Sequence, residues 1–164
     1  MQVDRRAFLV LGGAAAVTGV ALTMPGRVGA DPAPGRFPYR LTDAQWRRRL
    51  NAGQYAVLRQ GSTERAGSSP LDREHRRGTF ACAGCANPLF ASTTKFDSGT
   101  GWPSFYRPLP GAIVTRADNS LLMRRTEVLC ARCGGHLGHV FNDGPRPTGL
   151  RYCMNGVAMT FRAA

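Results

Sequence analysis

The chain of 164 residues reads as a single mainly β domain with short N-terminal helices and a four-cysteine metal site. Three observations predict this. The 20 glycines and 11 prolines favour strands joined by turns over a helical bundle. Two strand-like runs, one through Gly78-Thr79-Phe80-Ala81 and one ending at Leu129, each lead into a Cys-x2-Cys knuckle. Ile113 to Arg116 and Leu121 to Leu129 read as strands either side of Asp118-Asn119-Ser120, a hairpin-like turn. A chain of this length buries a core without needing disulfides.

In chain order, residues 1–30 read as an export signal. Arg5-Arg6 precede an uncharged Ala/Gly-rich run from Ala7 to Thr23, and Val28-Gly29-Ala30 offers small residues for cleavage. This resembles a twin-arginine signal and predicts an exported, periplasmic or extracytoplasmic protein. The alternative is a membrane anchor, because the run just reaches the shortest spanning length. Its many small residues argue for cleavage instead, with no stable membrane insertion afterwards. Residues 31–40 are Pro/Gly-rich and read as a tether, and 41–162 as the folded domain.

Thr42 and Gln45 fit a capping box, with Leu41 and Trp46 as its hydrophobic staple, so a helix is expected over Asp43 to Leu50. Asn51-Ala52-Gly53 should stop it. Gln54 to Arg59 is a second short helix, and Gly61 to Arg77 a long surface loop. Net charge is +12; after Ala30, 19 basic and 9 acidic residues leave +10. With no basic helix interleaved with aromatics, this is read as a solvated surface rather than a nucleic-acid site.

The five cysteines sort as two pairs plus one. Cys82, Cys85, Cys130 and Cys133 have the spacing of a closed tetrahedral site, which suits one structural zinc. Two disulfides, a redox Cys-x2-Cys pair and iron are the alternatives. Cys153 is left over. In an extended Leu150 to Met154 it shares a face with Arg151 and Asn155. His136 and His139 lie on a Gly-rich stretch read as a loop able to fold over that face. A thiol beside His or Arg gains thiolate character, whereas a lone buried cysteine is inert. Trp102, held between Gly101 and Pro103, is read as lining a pocket, with Phe105 and Tyr106 completing an aromatic cluster.

Taken together, Gly61-Ser62-Thr63-Glu64, the two knuckles, Gly101-Trp102-Pro103-Ser104-Phe105, His136-Leu137-Gly138-His139-Val140-Phe141 and Arg151-Tyr152-Cys153-Met154-Asn155 resemble the type B methionine sulfoxide reductases. The resemblance runs from about Leu41 to Phe161. It implies two antiparallel sheets forming a sandwich- or barrel-like core. It also implies reduction of the R epimer of methionine sulfoxide in oxidised proteins and peptides, a repair reaction of oxidative stress. In that pattern Cys153 is the nucleophile, passing through a sulfenic acid. Trp102, with Arg151 and Phe105, binds the substrate; His136, His139 and Asn155 position and protonate the oxygen; the other four cysteines hold zinc. Thr100 stands where many relatives carry a second, resolving cysteine, so an external thioredoxin-like thiol is expected to complete the cycle. Gly156-Val157 also departs from the common Ser-Ala. A monomer is expected. The rival readings are a zinc-ribbon binding module, which would not need Cys153, and a thiol peroxidase, which would not separate sulfoxide epimers.

Overall fold

The structure, a computed structural model, describes residues 37–120 and 124–164. The expected export signal and all but the end of the tether lie outside these residues, as do the first residues of the strand expected from Leu121.

Two helices come first, α1 (Asp43–Arg49) and α2 (Ala52–Gln60). Thr42 and Gln45 form the expected capping box. Asn51 does not simply end α1. It caps α2 through a second capping box with Gln54, and Ala52 and Gly53 are already helical. Each such cap contributes about 1 kcal/mol, enough to set the kink between two helices this short. Leu50, at the end of α1, and Trp46 are buried.

Nine strands follow: β1 (Gly78–Cys82), β2 (Pro88–Ala91), β3 (Lys95–Phe96), β4 (Ser104–Phe105), β5 (Ile113–Asp118), β6 (Arg125–Cys130), β7 (His136–Phe141), β8 (Arg151–Met154) and β9 (Met159–Ala163). They make two antiparallel sheets among the described residues, ordered β2-β1-β9 and β3-β4-β8-β7-β6-β5. The mainly β architecture is therefore as expected. No helix among the described residues is long and apolar enough to cross a membrane.

Both sheets share one core. Phe80 on β1, Phe90 on β2, Phe105 on β4, Val128 on β6, Leu137 on β7 and Met154 on β8 are fully buried. The Phe105 ring stacks on Phe90 at 4.3 Å and meets the edge of Phe80 at 4.9 Å. Burying each such ring is worth roughly 1.5–3 kcal/mol, and each aromatic pair adds about 0.5–1.5 kcal/mol. Phe105 is thus core, not part of a substrate pocket as the sequence suggested: on β4 it alternates with Ser104, and its neighbours take the faces nearer the site.

The end of the expected tether is docked. Tyr39 N–H donates to the Arg132 carbonyl at 2.9 Å, and the Phe37 ring fills the space where a side chain on Gly134 would stand. The 61–77 stretch also packs inward. Glu64 accepts backbone N–H bonds from Gly156 and Val157, which holds this loop against the turn between β8 and β9.

Candidate active site

Cys153 lies in the middle of the larger sheet, paired in register with Ser104 on β4 and His139 on β7. Its side chain faces a cavity of about 160 Å³ whose walls include Thr63, Trp102, Arg125, His139, Phe141 and Asn155. The turn before β4 aims Trp102 there. Gly101 adopts φ +84°, its carbonyl accepts from Gly67 N–H at 2.7 Å, and a Cβ on it would come within 2.9 Å of that nitrogen. The indole N–H then donates to the Glu64 carbonyl at 3.2 Å. Glycine is equally required at position 138, where a Cβ would lie 2.1 Å from the Cys153 carbonyl. That close approach brings β7 against β8.

The two histidines lie in β7, not in a loop. In a regular strand, residues three apart point to opposite faces. Here Leu137 is an extra residue, because Val128 pairs with Gly138 and Leu129 with His136. This bulge brings the imidazoles together, with ring centroids 5.4 Å apart. They differ in what they face. His139 lines the cavity and makes a 2.8 Å hydrogen bond from Nε2 to Asp118 Oδ2. The same carboxylate oxygen accepts from Arg125 at 2.7 Å. His136 is buried behind it, bonded to Glu127 at 2.7 Å, and does not line the cavity. The sequence had placed both at the substrate oxygen.

Burial holds the His139 pKa below its ordinary value, and the Asp118 hydrogen bond only partly offsets this. Asp118 is held well below the usual carboxylate range by Ser120, with His139 adding to the effect. Burial likewise pushes the Cys153 thiol up; hydrogen bonding from Thr100 and the Arg151 charge act the other way without overcoming it. Arg151 thus lowers the Cys153 pKa, as the sequence suggested, but burial outweighs it. Its guanidinium is spent on a bidentate pair with Asp143, at 2.9 and 2.8 Å, and on stacking over Phe141. Asn155 lines the cavity but is also structural. Its Oδ1 accepts from Glu64 N–H at 2.9 Å and its Nδ2 donates to the Leu137 carbonyl at 3.1 Å, leaving one amide proton for a ligand.

The other four cysteines converge elsewhere. The sulfurs of Cys82, Cys85, Cys130 and Cys133 are buried and lie within 4.8 Å of one another, with closest pairs at 3.7 and 3.6 Å. The two knuckles are built alike. Cys82 N–H donates to Asn87 O and Ala86 N–H to Cys82 O; Cys130 N–H donates to Gly135 O and Gly134 N–H to Cys130 O. One knuckle closes β1 of the smaller sheet and the other closes β6 of the larger. Four thiolates at this separation fit a tetrahedral cation of zinc size, whose bonds to sulfur are about 2.3 Å. Such a set is closed: it holds the fold and leaves no position for substrate.

A family profile described as SelR domain matches residues 50–163, from the start of α2 through β9. The chain belongs to the SelR family. Its relatives include proteins named peptide methionine sulfoxide reductase MsrB. That of Leptospira interrogans is 52% identical over 127 residues, covering 77% of this chain and 97% of the relative. That of Bradyrhizobium diazoefficiens is 57% identical over 119 residues, covering 72% and 86%. The Methanosarcina barkeri protein is 50% identical over 122 residues, covering 74% and 86%.

In this SelR domain the sequence-predicted residues thus divide. Cys153, Trp102, His139 and Asn155 share one cavity, while His136, Arg151 and Phe105 stand around it. Three residues were missed as site members: Asp118, Arg125 and Glu64. Asp118 was visible only as a turn residue, and Glu64 only as part of the Gly61-Ser62-Thr63-Glu64 run.

Proposed function

We propose that this SelR protein reduces the R epimer of methionine sulfoxide in peptides and proteins, with Cys153 as nucleophile. The observation that carries the reading is the placement of Cys153 opposite His139 on the floor of a cavity walled by Trp102. The names of the relatives supply the substrate class.

In this mechanism the Cys153 sulfur attacks the sulfoxide sulfur while His139, supported by Asp118, delivers a proton to the departing oxygen. The oxygen is transferred to Cys153, giving a sulfenic acid, and methionine leaves. One external thiol then condenses with the sulfenic acid, releasing water and forming a mixed disulfide. A second thiol reduces that disulfide and restores Cys153. Trp102 offers an apolar face to the methyl group, and the free amide proton of Asn155 holds the oxygen. Cys82, Cys85, Cys130 and Cys133 would hold one structural zinc, which takes no part in these steps. Thr100 in place of a second cysteine, and the use of the other four sulfurs as ligands, support a single-cysteine cycle with a thioredoxin-like reductant. The paired arginines at Arg5-Arg6 support export of the folded, metal-loaded protein.

Separate assays on R and S methionine sulfoxide peptides test the reading. The expected result is turnover of the R form alone, with Cys153→Ser losing at least about a thousandfold in kcat/KM. Equal turnover of both epimers, or an active Cys153→Ser protein, would refute it. Mass spectrometry after one turnover without reductant should find Cys153 oxidised and unpaired. N-terminal sequencing of the exported protein should begin near Asp31.

A further inference from the structure

Three hydroxyl groups are linked behind the Cys153 sulfur, and the line turns back so that Ser104 at its end also comes within reach of that sulfur. Thr100 Oγ1 lies 3.8 Å from Cys153 Sγ and 2.8 Å from Ser98 Oγ. Ser98 Oγ lies 2.7 Å from Ser104 Oγ, and Ser104 donates to the Trp102 carbonyl at 3.1 Å. Each hydroxyl has one proton to give, and a carbonyl only accepts. The Ser104 proton is therefore committed to Trp102, so Ser104 accepts from Ser98. Ser98 in turn accepts from Thr100, which leaves Thr100 to accept from the Cys153 thiol. The carbonyl at the far end fixes the direction of the whole line.

We propose that Thr100, Ser98 and Ser104 are positioning residues for Cys153: a polarised hydroxyl line that holds the thiol proton at rest and must turn round before Thr100 can donate to the thiolate. Reversal strips the Trp102 carbonyl of its donor, so ionisation at Cys153 is coupled to the backbone of the residue that walls the cavity. The proposal rests on the reading of Cys153 as the nucleophile. It gives that lone sulfur a reason to stay protonated until substrate arrives, because the thiolate is the form that oxidants attack.

The other charged or titratable groups around this sulfur are Arg151 on its own strand, His139 with Asp118 from β7 and β5, Arg125 on β6, and Glu64 in the loop above. None makes a hydrogen bond to Thr100 or Ser98, so variants at those two positions leave them in place.

Alkylation of Cys153 by iodoacetamide, followed by mass spectrometry across pH in the zinc-loaded protein, reads the ionisation directly. Thr100→Val removes the donor to the thiolate and should move the apparent pKa up by about one unit, slowing alkylation at neutral pH roughly tenfold. Ser98→Ala removes the group that claims the Thr100 proton, so Thr100 donates without reversing the line. Its apparent pKa should move down, by about half a unit. Thr100→Ser keeps the hydroxyl and should titrate like the unmodified protein. Shifts of the same sign in Thr100→Val and Ser98→Ala would overturn the proposal, as would no shift in either, or a Thr100→Ser shift matching Val. Turnover of R methionine sulfoxide by the unmodified protein is measured separately, so a failure of the enzymatic reading is told apart from a failure of the hydroxyl line.

Discussion

His139 faces Cys153 directly across the β7–β8 ladder, and burial disfavours the charged form of both. The proposed reaction needs the opposite forms, thiolate and imidazolium. That productive pair has the same proton count as the resting pair. Its population is therefore steady between the two pKa values and falls outside them. Below the histidine pKa the imidazolium forms but the thiol stays protonated; above the thiol pKa the thiolate forms beside a neutral imidazole. The profile of kcat/KM should be a broad bell, with its acid limb below the ordinary histidine value of 6.5 and its alkaline limb above the ordinary thiol value of 9.0. Asp118→Asn should lower the plateau roughly tenfold and move the acid limb further down. A single rise centred near neutrality would instead mean that the thiolate alone limits the rate, with no imidazolium required.

Glu127 is buried on β6 between His136 and Arg116. Burial raises its pKa, but the hydrogen bonds from His136 and Arg116 outweigh this and leave it lowered. A depressed carboxylate stabilises the fold above its unfolded value, and the contribution is lost as pH falls through the folded value. Glu127→Gln should cost about 1.5–3 kcal/mol at neutral pH, the range for a hydrogen bond to a charged group. Urea unfolding at several pH values should show the gap closing as pH drops below the ordinary carboxylate range.

The two knuckles share a backbone but not every residue. The residue after the second cysteine of each pair has left-handed backbone, at φ 58° for Ala86 and φ 68° for Gly134. Only glycine takes this conformation without penalty, which is about 1–2 kcal/mol for other residues. Replacing Ala86 by Gly removes that strain but frees the unfolded chain, at about 0.5–1 kcal/mol. The net expectation is a gain of up to about 1 kcal/mol, seen as a small rise in Tm with zinc content unchanged.

Metal analysis should return one zinc per chain. Cys133→Ser or exhaustive chelation should unfold the region around the knuckles, since structural zinc contributes on the order of 10–16 kcal/mol of apparent binding free energy in small domains. Loss of near-ultraviolet circular dichroism on chelation, restored by added zinc, is the measurement. A chelated protein that kept its Tm would show that the four sulfurs need no ion.

Local chemistry was legible where it was strong. The Thr42–Gln45 box, the sorting of the cysteines and the face shared by Arg151 and Cys153 could all be read along the chain. Asn51-Ala52-Gly53 misled because a glycine after an N-cap residue looks like a stop, although the same capping chemistry starts α2. Gly134-Gly135-His136 and Gly138 suggested a loop; pairing with β6 and β8 overrides that local preference, and the glycines serve close packing. The Asp118–His139–Arg125 cluster was hidden because its members come from three strands. Only pairing in register brings them together.

The chain passes from the larger sheet to the smaller one through the turn Gly156–Ala158, directly after Cys153 and Asn155. Glu64 clamps that turn, and the first cysteine knuckle holds it too, with Ala83 N–H donating to the Ala158 carbonyl at 2.9 Å. Cys153 thus sits beside a crossover fixed at two points. Slackening either fastening would let the sheets slide, and the sulfur would lose its aim before the core came apart.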